Sequence, residues 1–214
     1  MSGSAFAVTH HAFSSGAGRT SDGNGSHAST LKSPSYTKSV SWQHYPIDVL
    51  VNNAGIQRRH PFTEFPEQEW NDVIAVNQTA VFLVSQAVTR HMVERKAGKV
   101  INICSMQSEL GRDTITPYAA SKGAVKMLTR GMCVELARHN IQVNGIAPGY
   151  FKTEMTKALV EDEAFTAWLC KRTPAARWGD PQELIGAAVF LSSKASDFVN
   201  GHLLFVDGGM LVAV

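Results

Sequence analysis

Four short aliphatic and β-branched runs alternate with amphipathic helical patterns from Pro46 to the end of the chain. Each run closes on a polar residue or on a turn that contains glycine or proline. The runs are Ile47–Asn52, Lys99–Ser105, Ile141–Ala147 and His202–Val206. Strands that alternate with helices are typical of α/β domains with a parallel sheet. The pattern therefore predicts one α/β domain over residues 46–214.

The composition changes sharply near Tyr45. Between residues 14 and 41 the only aliphatic side chains larger than alanine are Leu31 and Val40. Such a segment buries too little apolar surface to offset the entropy lost on ordering. We therefore expect residues 1–45 to be a low-complexity, poorly ordered segment.

Charge, hydropathy and cysteine content exclude several classes of function. The net charge of +2 is too small for a nucleic-acid footprint. The longest apolar stretch, Ala80–Val84, is far shorter than the roughly 20 residues of a membrane span. The three cysteines are scattered, without the spacing of metal ligands. These features predict a cytoplasmic protein that acts on a small molecule and uses no metal.

Three predicted strands end in polar or glycine-rich groups. These groups are Asn52-Asn53-Ala54-Gly55, Ser105 and Pro148-Gly149. In an open parallel sheet, ligands bind outside the carboxyl ends of the strands. If the three strands are neighbours, their ends form one rim, where we expect the functional site.

Asn77 falls on the apolar stripe of the helical pattern that follows Pro66. The stripe consists of Trp70, Val73, Ile74, Val81, Val84 and Val88. A buried amide needs hydrogen-bond partners, because an unpaired one costs about 1–3 kcal/mol. Asn77 is then either a satisfied core residue or a group that holds water or backbone near the site. Spacing alone favours the first alternative.

Tyr118 and Lys122 lie one turn apart on a predicted helix, with Thr116 as its cap and Pro117 in its first turn. An ammonium about 4 Å from a phenolate stabilises it by about 4 kcal/mol at an effective dielectric constant of about 20. That is enough to bring the tyrosine pKa towards neutrality, where general acid–base catalysis is efficient. The motif alone also fits a solvated surface pair.

The motifs form an ordered series along the chain. Asn-Asn-Ala-Gly comes first, then Ser105 and Tyr-x-x-x-Lys, then Pro-Gly-x-x-x-Thr ending at Thr153, and finally Val-Asp-Gly-Gly. With these motifs, the region from Pro46 onward resembles the classical short-chain dehydrogenases/reductases. The resemblance implies a doubly wound, Rossmann-like fold, an NAD or NADP cofactor and a homo-oligomer. It also implies a catalytic set of Asn77, Ser105, Tyr118 and Lys122. The resemblance therefore favours the functional alternative both for Asn77 and for the Tyr-x-x-x-Lys motif.

The same resemblance implies a role for each residue. Tyr118 exchanges a proton with the reacting oxygen, Ser105 holds that oxygen, and Asn77 supports a water that relays protons to Lys122. Lys122 lowers the tyrosine pKa and binds the nicotinamide ribose. Further cofactor contacts are implied for Asn52, Ala54, Gly55, Pro148, Gly149 and Thr153, and for the backbone near Ile146.

Two arginines, Arg58 and Arg59, follow the first turn. Their planar guanidinium groups suit a carboxylate, although adjacent arginines are also common on solvated surfaces. The runs NNAGIQRRHP and SMQSELGRDTITPYAASKGAVKMLTRGMCVELA resemble family members that interconvert D-gluconate and 5-keto-D-gluconate. A sugar acid is therefore implied, with either arginine on its carboxylate; other keto sugar acids stay open. The hydroxyl groups would meet Gln107, Glu109 and Arg112.

The family's first β-α-β unit, with its Thr-Gly-x-x-x-Gly-x-Gly motif, has no counterpart in this pattern. The glycines at 16, 18, 23 and 25 follow no apolar strand, and we interpret them as linker. Without that unit, Ile47–Asn52 would be an exposed sheet edge, and the cofactor crevice would lack a wall. Two hypotheses follow. Either the N-terminal segment or a partner chain replaces the wall of a working enzyme, or the chain is a truncated or frame-disrupted member that binds cofactor poorly and serves at most in assembly. We expect the second for this polypeptide and the first for its family.

Overall fold

The computed structural model of the chain describes residues 46–214, together with the backbone of residues 6–8. Five strands form one sheet in the order β1-β2-β3-β4-β5. β1 is antiparallel to β2, and all the other pairs are parallel. The strands are β1 (Phe6–Val8), β2 (Val49–Asn52), β3 (Gly98–Ile103), β4 (Ile141–Pro148) and β5 (Leu203–Val206).

Six α-helices and several single 3-10 turns connect the strands of the described region. The helices are α1 (Glu67–Ile74), α2 (Ala80–Arg95), α3 (Thr116–Leu136), α4 (Lys157–Val160), α5 (Glu163–Arg172) and α6 (Ile185–Ser192). The 3-10 turns are Phe62–Glu64, Met106–Ser108, Ala137–His139, Glu154–Thr156, Pro181–Leu184 and Lys194–Ser196. Among the residues that the structure describes, no helix combines the length and apolar character needed to cross a bilayer.

Helices cover both faces of the sheet. On one face, Val88 and Met92 of α2 pack against Leu50, Val100 and Val143 of the strands. On the other face, α6 contributes Leu191 to a cluster with Ile101 and Ile146. Residues 141–147 of β4 are all buried, as expected for a parallel strand covered on both sides. The predicted doubly wound α/β fold is confirmed.

The N-terminal segment contributes a strand that the sequence pattern did not predict. In β1, Phe6 pairs with Val51 and Val8 with Val49 of β2. β2 is therefore not a sheet edge, and the predicted exposed edge was wrong. The poor order expected for residues 1–45 stays a prediction. Three residues are too short a run for hydrophobic periodicity to reveal. The glycine cluster between Gly16 and Gly25 lies outside the described residues.

The helical pattern after Pro66 is broken in the middle. A π-helical segment, Ala75–Thr79, separates α1 from α2 and changes the phase of the side chains around the axis. Trp70 is 39% exposed, so its predicted place in the buried stripe was wrong. Val73, Val81 and Val88 are buried as predicted. Short π-helical segments occur frequently at functional sites.

Polar side chains tie the ends of β2 and β3 to the helices behind them. Asn52 Nδ2 donates to Ser85 Oγ at 2.9 Å and to Asn102 Oδ1 at 2.8 Å. Asn102 Nδ2 in turn donates to Thr129 Oγ1 at 2.9 Å. All four residues are buried, and their hydrogen bonds remove the cost of placing polar atoms in a core.

Helix starts differ in how closely they match their sequence signals. Asp180 and Glu183 form a reciprocal capping box at the 3-10 turn that precedes α6, the arrangement that their spacing of three residues favours. In α3, however, Ile115 is the N-cap residue and Thr116 is the first helical residue, so the predicted Thr116 cap was wrong. Pro117 lies in the first turn, where its missing N–H costs nothing.

Candidate active site

A cleft opens beyond the carboxyl ends of β3 and β4, where the strand pattern predicts a site. Ser105, Tyr118 and Gly149 line it. Its other lining residues are Gln57, Arg59, Met106, Gln107, Arg112, Ile115, Tyr150, Met155, Thr156 and Leu159. The cleft thus combines the two groups predicted to meet the reacting oxygen with two guanidinium groups.

Ser105 lies two residues beyond the end of β3, at the start of a 3-10 turn. Its Oγ accepts a hydrogen bond from the Gln107 backbone N at 3.1 Å. The side chain also lies close enough to Tyr118 to oppose the rise in the pKa of its phenol. The hydroxyl is therefore fixed by the turn on one side and directed at the phenol on the other.

Lys122 lies below Tyr118 on the same side of α3. Its Nζ is 5.6 Å from the centre of the Tyr118 ring and donates to the Ile103 carbonyl oxygen at 2.6 Å. The side chain is buried. Within the described part of the chain this is its one hydrogen bond, so two ammonium protons can serve a ligand.

Burial dominates the protonation of this pair. It raises the pKa of the Tyr118 phenol, against the smaller opposing effect of the Ser105 hydrogen bond. It also lowers the pKa of Lys122 to about 8. The expected lowering of the Tyr118 pKa by Lys122 was therefore wrong in this structure, because removal from water disfavours the charged form of each group. At pH 7 the phenol carries its proton and the lysine is mostly an ammonium.

Asn77 lies in the π-helical segment and is fully buried. Its Oδ1 accepts from the Ile56 backbone N at 2.8 Å, and its Nδ2 donates to the Ile56 carbonyl oxygen and to Ser121 Oγ, both at 3.0 Å. The amide therefore pins the loop after β2 to helix α3. It also borders the site, since a Cβ added at Gly55 would lie 3.7 Å from both Asn77 Oδ1 and Lys122 Nζ.

The predicted cofactor residues differ in what they present. Gly55 leaves bare backbone beside Lys122, whereas the Asn52 side chain points into the core and only its backbone reaches the rim. Ala54 is partly buried between them. Such bare backbone beside a lysine with free protons fits the ribose end of a dinucleotide.

On the opposite rim, Pro148 ends β4 opposite Val206. A Cβ at Gly149 would lie 2.7 Å from Asp207 Cα, so close an approach that only glycine fits there. Thr153 is exposed and caps a 3-10 turn, with its Oγ1 3.1 Å from Thr156 Oγ1. No glycine-rich strand–turn–helix unit occurs in the stretch from Pro46 to Val214. The described residues therefore fit only the nicotinamide end of the predicted dinucleotide site.

The structure separates the two adjacent arginines. Arg59 lines the cleft and lies 3.4 Å from Gln57 Oε1 through its Nη2. Arg58 is turned away, with its Nε 3.7 Å from Glu69 Oε2. His60 also contacts this carboxylate, at 3.0 Å. Only Arg59 of the pair can therefore meet a ligand in the cleft.

A second guanidinium, that of Arg112, lines the same cleft as Arg59. Arg112 donates to the Tyr150 hydroxyl at 3.0 Å and lies 4.7 Å from the centre of the Phe165 ring. Burial lowers the pKa of Arg59, and the nearby charge of Arg112 lowers it further. An anion between the two groups would relieve this repulsion. Glu109, by contrast, is exposed and pairs with Lys126 instead of lining the cleft.

Sequence reasoning missed three residues of the site. Tyr150 directly follows Pro148-Gly149, so the rule about strand ends could have identified it. Gln57 precedes the two arginines and lines the cleft with Arg59. Ser121 accepts a hydrogen bond from Asn77 within the core, and nothing in its sequence position indicates this role.

Comparison with known proteins places the chain among enzymes. A sequence profile described as short chain dehydrogenase matches residues 31–164. Gluconate 5-dehydrogenase of Gluconobacter oxydans (strain 621H) is 63% identical over 169 residues, which make up 79% of this chain and 66% of that protein. 2-Dehydro-3-deoxy-D-gluconate 5-dehydrogenase of Formosa agariphila is 56% identical over 170 residues, which cover 79% of this chain and 64% of that protein.

A solved structure is similar in fold as well as in sequence. It is a gluconate 5-dehydrogenase from Burkholderia cenocepacia J2315 in complex with NADP and tartrate, with a TM-score of 0.80 and 62% identity. The match covers 81% of this chain and 68% of that one. The chain thus spans slightly less than two thirds of the length of the two curated relatives, 66% and 64%. On the profile match and these identities, the chain belongs to the short chain dehydrogenase family.

Proposed function

We propose that the chain is an NAD(P)-dependent oxidoreductase that interconverts a sugar acid and its keto form, in particular D-gluconate and 5-keto-D-gluconate. One observation carries the proposal. Ser105 and Tyr118, the two groups expected to meet the reacting oxygen, line the same cleft as the guanidinium groups of Arg59 and Arg112. A substrate with a carbonyl or alcohol at one end and a carboxylate at the other matches that arrangement. The similarity to gluconate 5-dehydrogenases supports it.

The cofactor would lie along the rim formed by the loop after β2 and the end of β4. Lys122 would hold the nicotinamide ribose with its free ammonium protons, beside the bare backbone of Gly55. The backbone of Pro148 and Gly149, with Thr153, would orient the carboxamide, and the backbone of Asn52 and Ala54 would line the adenosine side. The bound nicotinamide would supply or accept hydride.

The residues of the chain manage the proton and the oxygen. Ser105 Oγ and the Tyr118 hydroxyl would both bond the reacting oxygen. In reduction, Tyr118 would donate its proton as the oxygen gains negative charge; in oxidation, it would accept one. The buried Lys122 ammonium would stabilise the phenolate that each donation leaves, and Asn77 would hold a water that returns a proton towards Lys122.

The carboxylate would bind between Arg59 and Arg112. Charge-assisted hydrogen bonds to a carboxylate are the strongest that a side chain forms, and each guanidinium presents a planar fork. Tyr150 and Phe165 hold Arg112 in place. Arg58, which is paired with Glu69, takes no part in this arrangement.

We also propose a homo-oligomer. Phe82 and Leu83 of α2 and Met127 and Val134 of α3 expose apolar surface on one side of the domain. The non-catalytic alternative is less favoured, because the identity to the two dehydrogenases extends over 169 and 170 residues of the chain. A cytoplasmic location stays a prediction.

The test follows reduced cofactor by its absorbance, with D-gluconate in the forward direction and 5-keto-D-gluconate in reverse, using NAD and NADP in parallel. We expect turnover in both directions and a product identical to authentic standard by chromatography. Absence of turnover with both cofactors in both directions would overturn the proposal. Equal activity on simple uncharged ketones would overturn the sugar-acid part of it.

A further inference from the structure

Gln107 carries a buried acceptor that has no partner. The residue is 8% exposed, and its Oε1 has no hydrogen-bond partner among the residues that the structure describes. Buried side-chain oxygens in folded proteins are almost always paired, so an orphaned one needs an explanation. A ligand hydroxyl group is one such explanation, because it can donate to this oxygen.

The position of Gln107 puts that acceptor beside the reaction. It is two residues after Ser105, and its backbone N donates to Ser105 Oγ at 3.1 Å. Its side chain lines the same cleft as Tyr118, Arg59 and Arg112. A sugar acid that reaches from the Ser105–Tyr118 pair to the two arginines therefore passes this carboxamide with its middle carbons.

We propose that Gln107 is a specificity-determining residue whose Oε1 accepts a hydrogen bond from a hydroxyl on carbon 2 or 3 of the sugar acid. The inference rests on the proposed function and deepens it. It predicts a preference for D-gluconate over 2-dehydro-3-deoxy-D-gluconate, a substrate named for relatives of similar identity.

The chemistry of the two acids explains the discrimination. D-Gluconate carries hydroxyl groups on carbons 2 and 3. In 2-dehydro-3-deoxy-D-gluconate, carbon 2 is a carbonyl and carbon 3 a methylene, and neither donates a hydrogen bond. The bound deoxy acid would leave the buried Oε1 without a partner. A site built around a substrate hydroxyl group rejects an analogue that lacks it, by about 10- to 100-fold for one hydrogen bond.

The experiment measures kcat/KM for oxidation of both acids by the wild-type chain and by Gln107→Leu, which removes the acceptor and keeps a similar volume. Gln107→Met, an unbranched chain with a poor acceptor, serves if the leucine variant does not fold. Gln68→Leu makes the same chemical change on the exposed face of α1 and should behave as wild type. Thermal midpoints report the folding of each variant.

We expect the wild type to prefer D-gluconate by at least about 10-fold. Gln107→Leu should lose about 10- to 100-fold on D-gluconate, with little change on the deoxy acid, so that the ratio collapses. An unchanged ratio in a folded variant would mean that water or protein satisfies Gln107, and would overturn the inference while the proposed function stands. A wild-type preference for the deoxy acid would do the same. No turnover of either acid would overturn both.

Discussion

The ammonium of Lys122 lies 5.6 Å from the centre of the Tyr118 ring, with both groups removed from water. Burial therefore opposes charge on each of them. The phenol keeps its proton at neutral pH, while the pKa of Lys122 falls to about 8. In the proposed reaction the protonated phenol would donate to a developing alkoxide, with the lysine charge held nearby at an energetic cost.

Replacing Tyr118 by phenylalanine should remove turnover. The variant keeps the ring and the shape of the cleft but has no proton to exchange. General acid–base groups typically accelerate a reaction about 100- to 10,000-fold, so we expect kcat to fall by at least about 100-fold. Steady-state kinetics measure the loss, and an unchanged thermal midpoint would show that the fold is intact. Retention of more than a tenth of wild-type kcat would contradict the assigned role.

Replacing Lys122 by methionine should stabilise the chain at pH 7 while removing activity. Burial lowers the pKa of Lys122 from 10.5 to about 8. This corresponds to about 3 kcal/mol of destabilisation at neutral pH, partly offset by about 1 kcal/mol for the hydrogen bond to Ile103. The variant should therefore gain about 2 kcal/mol in the free energy of unfolding, measured in urea.

The pH dependence of that gain provides its control. Between about pH 8 and pH 10.5 the unfolded chain still binds the proton that the folded Lys122 has released, so the lysine contribution to stability rises with pH. The difference in the free energy of unfolding between wild type and Lys122→Met should therefore become smaller between about pH 8 and pH 10.5. Taking the difference cancels most of the opposing effect of Cys104, whose pKa burial raises to about 11. A difference in the free energy of unfolding that grows with pH would contradict the destabilisation assigned to the burial of Lys122.

Arg59→Ala and Arg58→Ala should have different effects although the residues are adjacent. Arg59 lines the cleft beside Arg112, whereas Arg58 pairs with Glu69 outside it. Loss of a hydrogen bond to a charged group costs about 1.5–3 kcal/mol, so Arg59→Ala should raise KM for a sugar acid about 10- to 100-fold. Arg58→Ala should leave KM within about twofold, because exposed ion pairs contribute little. Equal effects of the two substitutions would exclude the carboxylate site at Arg59.

The purified chain should bind NAD(H) and NADP(H) weakly. The residues from Pro46 onward would provide the proposed ribose and carboxamide contacts of the nicotinamide end, but they include no glycine-rich turn for the pyrophosphate. Titration calorimetry should give dissociation constants far above those of intact dinucleotide sites. Tight binding of either cofactor would show that other residues supply the missing wall. Translating the coding DNA ahead of Pro46 in the other two frames would show whether a glycine-rich unit is encoded there.

Local sequence was sufficient for elements that bury their own apolar residues. The runs that became β2–β5 were recognisable because parallel strands covered on both faces are almost continuously apolar. The observed strand boundaries differ from the predicted ones by one to two residues. Polar residues such as Ser105 continue the run past the last hydrogen bond of the ladder. The strand β1 was not recognisable, because three residues gain their stability only from pairing with Val49 and Val51.

The spacing of Tyr118 and Lys122, the order of the motifs and the family were determined by the sequence itself, because helical periodicity and strand-end chemistry are local properties. Only the tertiary structure decided which of Arg58 and Arg59 enters the cleft, that Arg112 joins it and that Gln107 keeps an unpaired oxygen. The tertiary structure also decided the direction in which the pKa of Tyr118 shifts, because burial is the largest cause of that shift. The direction, burial and hydrogen-bond pairing of a side chain depend on contacts between residues far apart in the chain. The spacing of residues along the chain does not determine these contacts.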